Sequence, residues 1–219
     1  MHPTLAWEPG LALPISLRAE NCTPVRAIQR SYADADLPKV TLHAFVDESR
    51  RNKDYLVAAA LIVPGDLRRL RTSMRGLLLP GQKELHFKKE TPSRRREIAS
   101  RLAEERIAVR VYLASCALGE EAARRVCVVH LVEDALAAGA SRMVLDSREV
   151  RDEDDRVAIR AVLGKRERET GFAYEHFDST QEPLLWIADA VVWCYGAGGD
   201  WRRRIGAVLE EVIDLRDRP

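Results

Sequence analysis

VTLHAFVDESRRNKDYLVAAALIVP, residues 40–64, is the stretch around which the rest of the chain organises. VTLHAFV is short, apolar and β-branched, and it breaks off at Asp47-Glu48-Ser49. After a polar link from Arg50 to Asp54 a second apolar run begins, YLVAAALIV, closed by Pro64. Two apolar runs joined by a short polar connection read as a β-hairpin.

Outward from this hairpin the pattern alternates. DLRRLRTSMRGLLL places Leu67, Leu70, Met74, Leu77 and Leu78 on one helical face. PGQKELHFKKETP is too polar for a core element and reads as extended. Thr91-Pro92 has the look of a helix start, with Thr91 as cap and proline at the first helical position, and that helix runs to about Arg106. IAVRVYLAS reads as a strand and residues 119–138 as a long helix. RMVLD is a strand, a charged helix follows from about Asp152, and FAYEHFD is a further strand. PLLWIADAVVWCYG is an apolar helix, and Trp201 to Leu215 read as a final helix. Strand–helix alternation implies right-handed crossovers and a mostly parallel sheet. The expectation is an α/β fold with a mixed five-stranded sheet flanked by helices and an antiparallel hairpin at its start.

Residues 1–38 are mixed, proline-bearing and without sustained periodicity. They read as an irregular N-terminal arm, with a short helical piece around Val25 to Tyr32. The domain proper is expected over 39–219.

The chain has 219 residues, 46% hydrophobic, enough for one generous core. Charged residues reach 32% but nearly cancel, leaving a net charge of +1. Nucleic-acid binding driven by bulk charge is therefore excluded, and any such contact must come from local clusters such as Arg50-Arg51, Arg94–Arg96 or Arg202–Arg204. Cys22, Cys116, Cys127 and Cys194 lie far apart and form no C-x-x-C pair. A disulfide framework is not expected, and a reducing cytoplasm is the natural compartment. No apolar run approaches the roughly 20 residues needed to cross a bilayer. The N-terminus lacks the basic and apolar segments of a signal peptide.

The chemistry is carried by carboxylates. Three strand-like segments end in aspartate: Asp47, Asp146 and Asp178. In open α/β sheets, ligands collect beyond the carboxyl ends of strands, where side chains from neighbouring strands converge. Asp189 is a fourth oddity, a carboxylate inside the most hydrophobic helix. Leu185, Ile187, Val192 and Trp193 offer it no countercharge at helical spacing. Such a group costs several kcal/mol unless paired or bound to a cation. Mg²⁺ and Mn²⁺ prefer carboxylate oxygens, and two ions about 4 Å apart activate water and stabilise a leaving oxygen. In KELHFKKE, an extended chain would point Glu84, His86 and Lys88 to one face. Those three suit a metal ligand, a proton carrier and a phosphate clamp.

Four segments occur in order: FVDES (Phe45–Ser49), KELHF (Lys83–Phe87), VLDSR (Val144–Arg148) and DSTQEPLLWIAD (Asp178–Asp189). Together they resemble the large, mostly bacterial and phage family known only as a domain of unknown function, number three thousand eight hundred, which is regarded as ribonuclease-H-like. The resemblance implies that Asp47, Asp146 and Asp189 ligate metal, with Glu84 completing the set through the E-x-H/K motif. Ribonuclease H itself carries its glutamate on the helix after the third strand, which would favour Glu133. The resemblance to KELHF favours Glu84 and is followed here. Glu48, Lys88, Asp178 and Ser179 are expected to support the ligands or touch substrate. The chain departs from the family at Arg50-Arg51, where Gly-Asp is frequent, and at Trp186, where the family often carries Leu-Gln; both changes bear on substrate choice.

The resulting expectation is a Mg²⁺- or Mn²⁺-dependent nuclease or related phosphodiester hydrolase acting on DNA or RNA. Asp47, Glu84, Asp146 and Asp189 would hold metal, with His86 near the scissile phosphate and nearby arginines on the backbone. The alternatives are a non-catalytic scaffold of the same fold and a metal-dependent small-nucleotide phosphohydrolase.

Overall fold

The computed structural model describes residues 41–148, 150–164 and 167–217. The expected arm over 1–38, its helical piece and Cys22 lie outside them.

The hairpin forms as read, but β1 (Leu42–Arg51) does not stop at Asp47, and β2 (Asp54–Ile62) pairs with it along its length. Only Asn52 and Lys53 turn the chain. Asn52 takes φ 54°, a left-handed conformation that asparagine tolerates and a tight hairpin requires. Two helices follow, α1 (Leu67–Arg75) and α2 (Pro92–Glu104). The Thr91 side chain caps α2 by accepting from the Arg94 amide at 3.3 Å.

Then come β3 (Ala108–Ser115), α3 (Glu120–Ala137), β4 (Ala140–Asp146) and α4 (Asp152–Leu163). The four-residue α5 (Glu167–Thr170) leads into β5 (Ala173–Phe177), and α6 (Leu185–Ala197) follows. The last stretch is not one helix. It splits into α7 (Gly199–Arg204) and β6 (Leu209–Asp214), which pairs parallel to β3. The sheet therefore has six strands, not five, in the order β5-β4-β1-β2-β3-β6. The β1–β2 and β2–β3 pairs are antiparallel, and β1–β4, β4–β5 and β3–β6 are parallel. Ile205, Val208, Val212 and Leu215 recur at helical spacing, which explains the misreading. The hydrogen bonds on offer at the open edge of β3 outweigh that local pattern.

Side-chain alternation sorts the strands into two cores. Leu42, Ala44 and Val46 face α3 and α4 with Val57, Ala59, Met143 and Leu145. Phe45 faces α6 with Ala58, Ala60, Val111 and Val144. Helix α6 is buried on nearly all sides, since Leu185, Trp186, Ile187, Ala188, Ala190, Val191 and Val192 are all enclosed. That is why its sequence shows no polar stripe. Cys116, Cys127 and Cys194 are free thiols, and burial pushes Cys127 and Cys194 up to about 12. Among the described residues, no helix is long and apolar enough to cross a membrane.

Candidate functional site

Parity along the strands decides which polar groups meet. Asp47 lies two residues beyond Phe45, so it faces α6; Glu48 shares the parity of Val46 and faces α3. On β4, Asp146 lies two residues beyond Val144 and also faces α6. The parallel register pairs Phe45 with Val144 and Val46 with Leu145. The next positions, Asp47 and Asp146, thus stand side by side on the α6 face, where β4 ends and β1 continues to Arg51.

Asp189 comes to the same cleft from α6. Its Oδ2 accepts the Phe87 amide N–H at 2.8 Å and lies 3.4 Å from His86 Nδ1. The partner that the apolar helix could not offer comes from the KELHF segment. That segment is anchored by Leu85 and Phe87, both buried. It is not extended throughout, because Phe87–Lys89 make a single turn of 3₁₀ helix. Lys88 is consequently exposed and does not share a row with Glu84 and His86. Glu84 accepts a hydrogen bond from the Ser179 hydroxyl. Ser179 is in turn fixed by Trp186, whose indole N–H donates to the Ser179 carbonyl at 2.8 Å. Trp186 thereby props the loop that holds Glu84.

Asp47, Glu48, Leu85, His86, Asp146, Arg148, Ser179, Leu185, Trp186 and Asp189 line one small cleft of about 70 Å³. Its electrostatics are those of crowded acids. Burial, then the charges of Asp189 and Asp146, push the Asp47 carboxyl well above the ordinary range, against the opposing pull of Arg148 and Arg124. Burial raises Asp146 to about 6; Arg148 opposes this, while Asp189, Asp178 and Glu84 add to it. The hydrogen bond to Asp189 raises His86, so its cationic form is favoured. A cleft that resists holding its own negative charge is chemically suited to a cation. Among the described residues, no three His, Cys, Asp or Glu side chains are already drawn together as a metal cage.

One expected result follows directly. In a carboxyl ¹³C titration, Asp146 should change state near pH 6, and Asp189→Asn should move that midpoint down by removing a neighbouring charge. A midpoint near 4 in the wild type would show that the acids do not crowd one another.

The remaining expected residues sort by face. Asp178 is exposed and tied into its own turn, its Oδ1 accepting the Thr180 amide at 2.8 Å and the Thr180 hydroxyl at 2.5 Å. Glu133 sits on α3, on the far side of the sheet, 54% exposed and 3.7 Å from His130. It does not reach the cleft. Of the arginines expected to meet phosphate, Arg94 is paired with Glu97 at 2.7 Å, and Arg95 donates to the Phe87 and Lys88 carbonyls at 3.0 and 2.6 Å. Arg51 and Arg95 both lie over the Trp193 ring, at 5.1 and 4.4 Å. Arg50 and Arg96 are exposed.

Two arginines escaped the sequence reading. Arg148 Nε lies 2.8 Å from Glu48 and its Nη2 is 3.9 Å from Asp47, so it bridges both acids at the cleft. Arg124, on α3 and only 3% exposed, also pairs with Glu48. It donates to Asp155 at 2.8 and 2.6 Å and to the Tyr55 hydroxyl at 3.0 Å. His176 Nε2 stands 3.1 Å from Asp155, behind it. Glu48 is thus the joint between the cleft and a buried ionic network. Its proximity to Asp47 in sequence could have suggested a link; nothing local marks Arg124 among so many arginines.

No family model matches the chain, and no curated protein matches it in sequence. Among solved structures it is similar to the RNase HII of the PCNA:RNase HII complex from Archaeoglobus fulgidus, with a TM-score of 0.50 and 20% identity, over 71% of this chain and 73% of that one. At that identity the likeness bears on the fold: the chain is an α/β protein with a ribonuclease-H-like, mixed six-stranded sheet flanked by helices.

Proposed function

We propose that the chain is a divalent-metal-dependent hydrolase of nucleic-acid phosphodiester bonds, with Asp47, Asp146 and Asp189 as metal ligands and Glu84 completing the set. The observation that carries this reading is the convergence of the three aspartates, from two neighbouring strands and a buried helix, on one cleft where burial and neighbouring charge raise Asp47 and Asp146. The likeness to an RNase HII supports it at the level of fold. The order of FVDES, KELHF, VLDSR and DSTQEPLLWIAD supports placing the chain in the domain-of-unknown-function family that it resembles.

Bound there, Mg²⁺ or Mn²⁺ would supply an activated water and neutralise charge developing on the phosphate. The chain's own groups do the rest. Asp47 and Asp146, fixed by strand register, present oxygens side by side. Asp189 is oriented by the Phe87 amide, which holds one of its oxygens. His86, with Nδ1 against Asp189, keeps Nε2 as the nitrogen from which a proton can pass to the leaving oxygen. Ser179 holds Glu84 at the rim.

The test is a cleavage panel on end-labelled single-stranded and duplex DNA, RNA and hybrid, each with Mg²⁺, with Mn²⁺ and with chelator. Metal-dependent cleavage of at least one polymer, unchanged within about twofold by Glu133→Gln since an exposed surface acid contributes little, is the expected result. Absence of cleavage together with absence of Mn²⁺ binding would point to a binding scaffold instead. Phosphate release from free nucleotides alone would point to a small-nucleotide hydrolase.

A further inference from the structure

Arg148 is the one arginine or lysine that lines the cleft among the described residues. Its guanidinium is not on the outer rim. Nε is 2.8 Å from Glu48 and Nη2 is 3.9 Å from Asp47, the residue proposed to ligate metal. At the same time its side chain is 42% exposed, so it has solvent beside it into which it can withdraw. Its backbone, by contrast, is fixed: Asp152 accepts the Arg148 amide at 2.9 Å and the Ser147 hydroxyl at 2.8 Å. The pivot is held while the long side chain is free to swing.

Glu48 has a second partner of its own. Arg124, locked on the buried side by Asp155, pairs with Glu48 whether or not Arg148 is there. Loss of Arg148 from the pair therefore leaves Glu48 neutralised, whereas among the described residues Asp47 has only Arg148 within ion-pair reach. The arrangement is asymmetric, and it isolates Asp47 as the acid whose charge is left open once Arg148 moves.

We propose that Arg148 is the resident counter-ion of the carboxylate cleft, a positioning residue that a divalent cation must displace from Asp47. This rests on the proposed metal-dependent function and deepens it, by assigning Arg148 the task of keeping the acids compatible before metal arrives. Two positive charges outcompete one at the same carboxylates, so the guanidinium yields to a divalent ion and resists a monovalent one.

The experiment is calorimetric titration of Mn²⁺ into the wild type, Arg148→Met and Arg148→Lys, all three at pH 8. A partly exposed ion pair is a modest competitor, so Arg148→Met should bind Mn²⁺ about fivefold more tightly than the wild type. Arg148→Lys, whose single ammonium cannot span two carboxylates, should fall between them. Tightening is a result that simple damage to the fold would not produce, and Arg148→Lys carries the test if the methionine variant is poorly folded. Equal or weaker Mn²⁺ binding in both variants, with the wild type binding normally, would overturn the counter-ion role and leave the metal-dependent function standing. No Mn²⁺ binding by any of the three would overturn both.

Discussion

Asp47→Asn should abolish metal-dependent cleavage while making the protein more stable. The activity loss is expected to reach about a thousandfold or more, equivalent to roughly 4 kcal/mol of transition-state stabilisation. Asparagine keeps the local geometry, because its carbonyl can still accept the Glu48 amide that Asp47 Oδ1 accepts at 2.7 Å. What disappears is the charge. The stability gain follows from the direction of the Asp47 shift: burial and then the neighbouring charges of Asp189 and Asp146 raise its folded pKa. A raised carboxyl favours the folded state while it is protonated, and that advantage is lost as pH climbs from the unfolded value through the folded one. The variant removes this penalty, so its melting temperature at pH 8 should exceed the wild type's by about 2–4 °C, as a gain near 1 kcal/mol would give. At pH 4 the two proteins should melt alike. Scanning calorimetry at both pH values, beside the cleavage assay, checks both halves. A variant that is less stable at pH 8 would show that the Asp47 charge is structural rather than poised for a metal.

Arg124→Met should produce the largest loss of stability of any single change on the far side of the sheet, about 3–5 kcal/mol. Arg124 is enclosed among acids that are enclosed too: Glu48 is 7% exposed and Asp155 3%. Removing the guanidinium leaves two buried carboxylates without their shared cation, and the cost is their desolvation rather than the value of the bonds themselves. Asp155 retains His176 at 3.1 Å, which softens its loss, and Glu48 retains Arg148. Urea denaturation measures the change; a loss below about 1 kcal/mol would place Arg124 among ordinary surface pairs. The triple variant Glu48→Gln, Arg124→Met, Asp155→Asn should lose less than Arg124→Met alone, since it leaves no buried charge stranded.

The elements built on local pattern were readable from residues alone. VTLHAFV, IAVRVYLAS and RMVLD are strands because β-branched runs of that length have little else to do, and Thr91-Pro92 opens α2 through cap chemistry that is complete within four residues. The readings that failed depended on a distant partner. LEEVID carries helical spacing and becomes β6 because β3 presents an unpaired edge. FKK curls into a turn because Phe87 must reach Trp193 and Trp201, with ring centroids 5.3 and 6.4 Å away. For the site, Asp189 stood out as a charge in an apolar helix and Asp146 as an acid where a strand ends; Asp47 was read the same way, although β1 continues past it to Arg51. Which glutamate lies on their side of the sheet could not be read from type or spacing, since nothing in the sequence separates Glu84 from Glu133 by face. The arginines Arg124 and Arg148 were hidden for the same reason: which acids a charge meets is a property of the neighbours, and in a chain 32% charged the composition conceals it.

Helix α6 has a consequence for the order in which this protein is made. The face of the sheet carrying Phe45, Ala58, Val111 and Val144 is sealed by a helix that begins at Leu185. During synthesis the hairpin, β3 and β4 all emerge before this helix does, and the contacts that close Phe45 and Ala58 under it join residues well over a hundred positions apart. Non-local closure of that kind is slow and leaves apolar strands exposed to aggregation until it happens. Asp189 travels on the same helix. Asp189 therefore meets Asp47 and Asp146, which strand pairing sets side by side, only when this helix docks, so a nascent chain carries the cleft open on one side until its core is shut.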